Sequence, residues 1–443
     1  MKVRKEITEL LNEGVIDQST AERINDYYNT KSGTPQNKLV IVFGILGALL
    51  VSLGIILILA HNWDDLNRIT KTVLAFLPLL LGQGICAYVL IKKEDSIAWR
   101  EASSAFLFIA IGACISLISQ IYNISGSFGS FLLTWMLLAA PLIYVMRSNI
   151  ASLLYISGIT WYGCVVGYIE SKESYLFWVL LILALPHYYL LYRQKRESNF
   201  FTFHNWFIPL AVIIVLGTIA RDAMELMLIA YVSLFGLLYL IGNTPVLRHQ
   251  KIRNNGYMVL GSLGTVAVLL GLSFDFFWTD LRNNAFWSND MITSPEFIAS
   301  AVLSLATLAL LVYQKLNQKP FELRPVESVF ILFIVIFLIG LKSPMAVVFT
   351  NLLVLMIGIM TIREGARQYN LGILNYGLLI VTALVICRFF DTDIPFVFKG
   401  ILFVCVGVGF FFANYWMLKK KKTEPVPQST NPNGITEHEK PNL

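Results

Sequence analysis

The chain has 443 residues, of which 56% are hydrophobic and only 14% charged, with a formal net charge of +6. A soluble domain carries about 25% charged residues, so a water-exposed surface over most of this chain is excluded. The apolar residues gather in runs of about 15 to 22, lengths that a bilayer core about 30 Å thick accepts as spanning helices.

Residues 3–29 read as a small helical hairpin on the cytoplasmic side. Ile7, Leu10 and Leu11 share an apolar face, and Gly14 is placed to stop the first helix. The second helix starts near Asp17 to Ser19, where Ser19 and Glu22 have capping-box spacing and Ala21, Ile24, Tyr27 and Tyr28 form a stripe. Such a hairpin is too small to hold a core of its own, so it docks either on the rest of the chain or on a partner protein.

Apolar runs then predict spans over 39–60, 72–91, 102–121, 131–146, 150–169, 175–192, 206–220, 224–241, 256–274, 296–313, 326–341, 344–361, 371–387 and 400–418. The fold class expected is an all-α, polytopic membrane bundle of about fourteen spans. Three regions follow: the hairpin and linker over 1–38, the membrane domain over 39–418, and a basic run with a polar tail over 419–443. With the N-terminus inside, 26 of the 34 lysines and arginines fall on inside segments and 8 outside, the asymmetry that cytoplasmic loops carry. Both ends are then cytoplasmic. The shortest run, 206–220, is the weakest span, but removing it would turn the later basic loops outward.

Small residues at four-residue spacing, Gly44, Ala48 and Ser52 in the first span and Gly163 and Gly167 in the fifth, mark close helix contacts within the chain, or a homodimer seam. The five cysteines lie singly inside apolar stretches and read as packing residues. Lys419 to Lys422 sit where anionic headgroups anchor them, which is not nucleic-acid recognition.

Polar candidates are few. His61, Asn62, Trp63, Asp64, Asp65 and Arg68 lie in the first outside loop, and Gln120, Tyr122 and Asn123 lead into the second. If their helices are neighbours, these residues line an outward-facing pocket whose carboxylates suit a cation or amine. The competing account makes Trp63 and Tyr122 interfacial anchors and Asn62 and Asp64 helix caps. Within the spans, Gln83 between Gly82 and Gly84 suits an interhelical hydrogen bond, Asn351 is a second intramembrane polar candidate, and His187 lies near the cytoplasmic end of its span. Arg388, Asp391 and Asp393 form either a salt-bridged loop or part of a vestibule. The sequence lacks a phosphate-binding GxxxxGK[ST] loop and an HExxH pair. Neither enzyme chemistry, a metal site nor a cofactor is expected.

The hairpin, Ala60 to Asp64, Arg68, Gln120 to Gly126, Trp135, Pro141, Arg147-Ser148 and Thr160 to Tyr162 together resemble the family of predicted bacterial membrane proteins known as domain of unknown function 2157, over about residues 1–165. That resemblance implies a bacterial inner-membrane location and work alongside other small membrane proteins; it implies no activity. Two functions are expected from the whole sequence. The first is binding or transport of a small solute or lipid through the outward-facing site. The alternative is a non-catalytic scaffold or envelope sensor that recruits a membrane-protein partner through its hairpin.

Overall fold

The computed structural model describes residues 7, 10, 11, 13–31 and 63–390 other than 222, 249, 284–290 and 318–324, with isolated positions between 397 and 415. The expected first span, His61, Asn62, Asp391, Asp393 and the segment from Lys419 lie outside the described residues. The last expected span, 400–418, falls there too, apart from isolated helical positions. Among the described residues every regular element is helical.

The hairpin turns where expected. Gly14 takes a left-handed φ of 68°, while the Val15 amide reaches back to the Leu10 carbonyl at 3.0 Å, the bonding that ends a helix on glycine. The next helix, α1 (Gln18–Lys31), starts differently from the expected capping box. Its cap is Asp17, whose carboxylate accepts from the Thr20 amide at 3.2 Å and the Ser19 hydroxyl at 2.6 Å. Those two bonds hold the Asp17 carboxyl below the usual carboxylate range. Ser19 is therefore occupied as a donor, because a carboxylate one residue outside the helix competes better for the first amides than a hydroxyl does.

The remaining helices are α2 (Arg68–Lys92), α3 (Ile97–Tyr122), α4 (Phe128–Val145), α5 (Asn149–Cys164), α6 (Leu176–Gln194), α7 (Asn199–Leu216) and α8 (Leu226–Gly242). They continue with α9 (Gly256–Gly271), α10 (Asp275–Asn283), α11 (Pro295–Asn317), α12 (Val329–Gly340), α13 (Met345–Arg367) and α14 (Leu371–Phe390). Nine of these, counting the short continuations of α5 and α7, are long and apolar enough to cross a bilayer among the described residues. A tenth is obtained if α9 and α10 count as one broken span bent by 72°.

Local chemistry sets several starts. Ser127, Ser148 and Ser198 each have extended backbone angles and accept a hydrogen bond from the amide three residues on, which begins α4, α5 and α7. The Ser198 cap explains why the seventh span is longer than the apolar run over 206–220. It adds Asn199 to Asn205, and a 3₁₀ turn over Gly217–Ile219 extends the far end.

The chain forms two compact units. One comprises residues 1–77 and 117–123, and the other 78–116 and 124–443. In the larger unit, Leu132, Met136, Tyr155, Phe177 and Phe201 belong to one buried core and Trp278, Phe333, Phe337 and Leu353 to another. Helix α8 feeds both, through Met227 and Leu234 on one side and Val232 and Leu240 on the other. It is apolar all round because it is enclosed all round. Along α2, α6 and α11, by contrast, Leu80, Ile182 and Leu305 are more than half exposed. Apolar surface of that extent needs lipid as its solvent.

Small residues set the closest approaches. A side chain at Gly163 would meet Val215, and one at Gly167 would strike Thr218, so this pair packs α5 and its π-helical continuation (Val165–Ile169) against α7 and its 3₁₀ turn within one chain. Glu170, just past that π turn, pairs with Lys172 at 2.9 Å and accepts the Gly129 amide at the start of α4 at 2.9 Å. The Lys172 bond first, and the Gly129 amide second, hold its carboxyl below the usual range. A carboxylate depressed in the folded state stabilises above its unfolded value and loses that contribution as pH falls through its folded value. Protection of the Gly129 amide, taken relative to its intrinsic exchange rate at each pH, is therefore expected to fall on acidification, and Glu170→Gln is expected to remove that change in hydrogen–deuterium exchange.

Candidate functional site

The loop-borne candidates that the structure describes meet in the smaller unit. Asn67, rather than Asp64, caps α2 by accepting the Thr70 amide at 2.8 Å. The first turn of α2 then presents Arg68, Lys71 and Thr72. At the last turn of α3, the Tyr122 hydroxyl lies 3.1 Å from the Thr72 hydroxyl, and the Arg68 guanidinium sits over the Tyr122 ring at 5.7 Å. The Lys71 ammonium stands 5.8 Å above the Trp63 ring. Asn123 ends α3 with a φ of 51°. The two loops therefore share one end of this unit. Asp64, Asp65, Arg68, Gln120, Tyr122 and Asn123 are all exposed, so they form a surface cluster whose organised groups are cations on aromatic faces.

Among the described residues Gln83 does not make the expected interhelical bond. Gly82 is the residue that faces α3, where an added side chain would come within 3.3 Å of the Leu107 backbone. Gln83 lies about 100° further round the helix and is exposed. Asn351 does bind across helices: its amide nitrogen donates to the Ser273 carbonyl at 3.0 Å and to Val347 in its own helix at 2.7 Å. Ser273 occupies the break between α9 and α10, where ladder carbonyls lose their partners. Arg388 reaches the Ser273 hydroxyl at 3.2 Å and covers Phe274 at 5.0 Å, so it braces the broken helix.

A heavily bonded polar cluster centres on Glu101, which the sequence did not single out, and takes in His187, which it did. Glu101, in the second turn of α3, is 4% exposed. One carboxylate oxygen accepts from the Ser148 hydroxyl at 2.6 Å and the Ile150 amide at 2.8 Å. The other accepts from the Asn149 amide at 3.0 Å and the Asn149 side-chain nitrogen at 2.6 Å. Glu101 thus supplies a negative charge at the positive end of α5. The Asn149 side-chain oxygen continues to His187 Nε2 at 3.2 Å on α6. Nearby, His204 on α7 bonds Ser152 at 2.9 Å, and its ring lies 6.0 Å from that of His187. Tyr188 stacks near His204 and donates to Asn205 at 2.7 Å. Glu101 sits next to Arg100 at the edge of an apolar run, where sequence alone makes it a loop charge. Its spacing to Ser148 carries no local signal.

A second buried pair, Lys315 with Glu327 at 2.6 Å, is joined by Asn243. Among the described residues no group of three or more His, Cys, Asp or Glu side chains is placed to hold a metal ion. Cys86 and Cys114 are buried and free, and Cys164 and Cys387 are partly buried and free.

Long apolar helices, lipid-suited faces and polar groups enclosed between helices define a multi-pass α-helical membrane protein. Residues 8–152 match a family described as "Predicted membrane protein (DUF2157)", a stretch that runs from the hairpin to the start of α5. It takes in the Trp63–Tyr122 cluster, Glu101 and Ser148-Asn149. No curated protein and no solved structure matches the chain.

Proposed function

We propose that this is a fourteen-span protein of the bacterial inner membrane, with both ends in the cytoplasm, that binds or moves a small solute or lipid through a site at the outer face. The basic-residue asymmetry supports that orientation. One observation carries the functional reading: Arg68, Lys71, Thr72 and Tyr122 converge from two helices at the positive end of α2. Cations held on rings beside a helix N-terminus favour a ligand with an anionic head, such as a phosphate or carboxylate. That chemistry replaces the cation or amine expected from Asp64 and Asp65. The protein is proposed to be a binder or carrier, not an enzyme.

Native mass spectrometry from nanodiscs of zwitterionic lipid, with and without anionic phospholipid, tests this. The wild type is expected to retain an anionic lipid or solute adduct. Arg68→Ala combined with Tyr122→Ala is expected to weaken it about tenfold or more, the loss of one charge-assisted contact, at unchanged membrane abundance. A second reading, a scaffold that recruits a partner through its hairpin, is supported by the family match beginning at residue 8, inside that hairpin. A stoichiometric protein partner without any small adduct would replace the first reading with this one.

A further inference from the structure

The network around Glu101 lies outside the proposed ligand site and does not depend on it. Its hydrogen bonds determine the proton positions on both histidines. The Asn149 side-chain nitrogen donates to Glu101, so the oxygen of the same amide faces His187 Nε2, which must therefore carry its hydrogen. His204 Nδ1 faces the Phe200 carbonyl at 2.8 Å and so is also the protonated nitrogen. His204 Nε2 is left to accept from the Ser152 hydroxyl. Both nitrogens of His204 are committed. His187 Nδ1 accepts no hydrogen bond among the described residues, and it is the basic lone pair that the network leaves open.

Charges facing His187 come from several elements. Glu101 on α3 reaches it through Asn149, Lys195 follows the end of its own helix, and His204 faces it from α7. On α4, the Tyr144 hydroxyl is turned to the Leu183 carbonyl, one turn before His187. Tyr188, next in sequence, is committed to Asn205. Of these neighbours, the Glu101 carboxylate is the negative one, and its link to His187 is a single side-chain amide.

We propose that His187 is a proton-binding site inside the membrane domain, balanced through the Asn149 amide by Glu101, so that proton occupancy is read at the N-terminus of α5. A proton from solvent adds to Nδ1, and no covalent bond breaks. The imidazolium strengthens the Nε2–H bond to the Asn149 oxygen, and polarisation of that amide strengthens its donation to Glu101. The carboxylate that holds the Ser148, Asn149 and Ile150 donors is thereby coupled to the charge on α6. An ionisable pair enclosed among spanning helices is the kind of group on which proton-linked membrane proteins rely.

The test is solid-state NMR on the full chain in lipid bilayers, with ¹⁵N-labelled histidine and ¹³C-labelled glutamate, titrated through about pH 5 to 8, the range in which histidine changes charge. Among the five histidines, one of the signals that titrate is expected to disappear in His187→Asn. In the wild type, the Glu101 carboxyl signal, assigned by its loss in Glu101→Asp, is expected to move with the same midpoint. His204→Asn is expected to leave both titrations in place. A His187 signal that keeps one protonation state across the range would overturn the proposal, as would a His187 titration that the Glu101 carboxyl does not follow. Neither readout uses ligand binding, so failure here is distinct from failure of the outer-face site.

Discussion

Replacing Glu101 with alanine is expected to lower the stability of the membrane domain by about 3 kcal/mol or more. The carboxylate satisfies four donors at the head of α5: the Ser148 hydroxyl, the Asn149 and Ile150 amides, and the Asn149 side chain. Removing it leaves them enclosed with no acceptor of the same reach, and water has little access at 4% exposure. Glu101→Gln is expected to fall between alanine and wild type, because one oxygen remains while an amide nitrogen now opposes a donor. The measurement is reversible unfolding in mixed detergent micelles, paired with amide exchange at Asn149 and Ile150. Wild-type unfolding of Glu101→Ala would show that the head of α5 is held by something else.

The second large effect concerns backbone contact rather than charge. Gly261 in α9 lies so close to α8 that a side chain there would stand 2.6 Å from the Phe235 carbonyl oxygen and 2.6 Å from the Tyr239 nitrogen. Neither atom belongs to a flexible side chain, so the helices themselves must separate. Gly261→Ala is expected to cost about 3 kcal/mol, the upper part of the usual overpacking range. Gly271→Ala, near the end of the same helix, adds a methyl group with nothing within 4 Å. That variant is expected to be neutral or more stable by about 0.5 kcal/mol, from the reduced freedom of the unfolded chain. The pair shares one helix and one chemical change, so equal unfolding midpoints would show that the α8–α9 approach does not govern stability.

Much of this architecture is legible in the amino-acid pattern because lipid imposes a simple rule. Each backbone polar group must bond within its own segment, so a spanning stretch is an apolar helix bounded by polar breaks. The runs over 72–91, 102–121, 131–146, 175–192, 296–313, 344–361 and 371–387 each coincide with a described helix. The Gly163 and Gly167 contact is also readable, since small residues at helical spacing have few other uses in a bilayer. The expected span over 326–341 is legible only as an apolar run: its helix, α12, is the 12-residue Val329–Gly340, short of a bilayer crossing by itself.

The polar sites divide differently. Arg68, Trp63 and Tyr122 were legible because charge and aromatic rings stand out at the ends of apolar runs. Which of them face one another was not. Glu101 was missed because its partners are 47 to 49 residues away, on helices whose adjacency no local pattern encodes. The expected span over 256–274 stops at the break, but the helix beyond the 72° bend, α10, was not legible, because its 9 residues carry Asp275, Asp280 and Arg282 and read as a loop.

The sequence by itself determined the solvent of this protein, the helical character of its segments, and the turning of its hairpin at Gly14, because these depend on composition and on neighbours a few residues apart. Tertiary structure alone decided that α8 is enclosed on all sides, that Gly82 rather than Gln83 faces α3, and that one carboxylate holds the head of α5 and reaches a histidine through an amide. Those facts depend on which helices lie together and how each is rotated, and rotation changes by 100° with every residue.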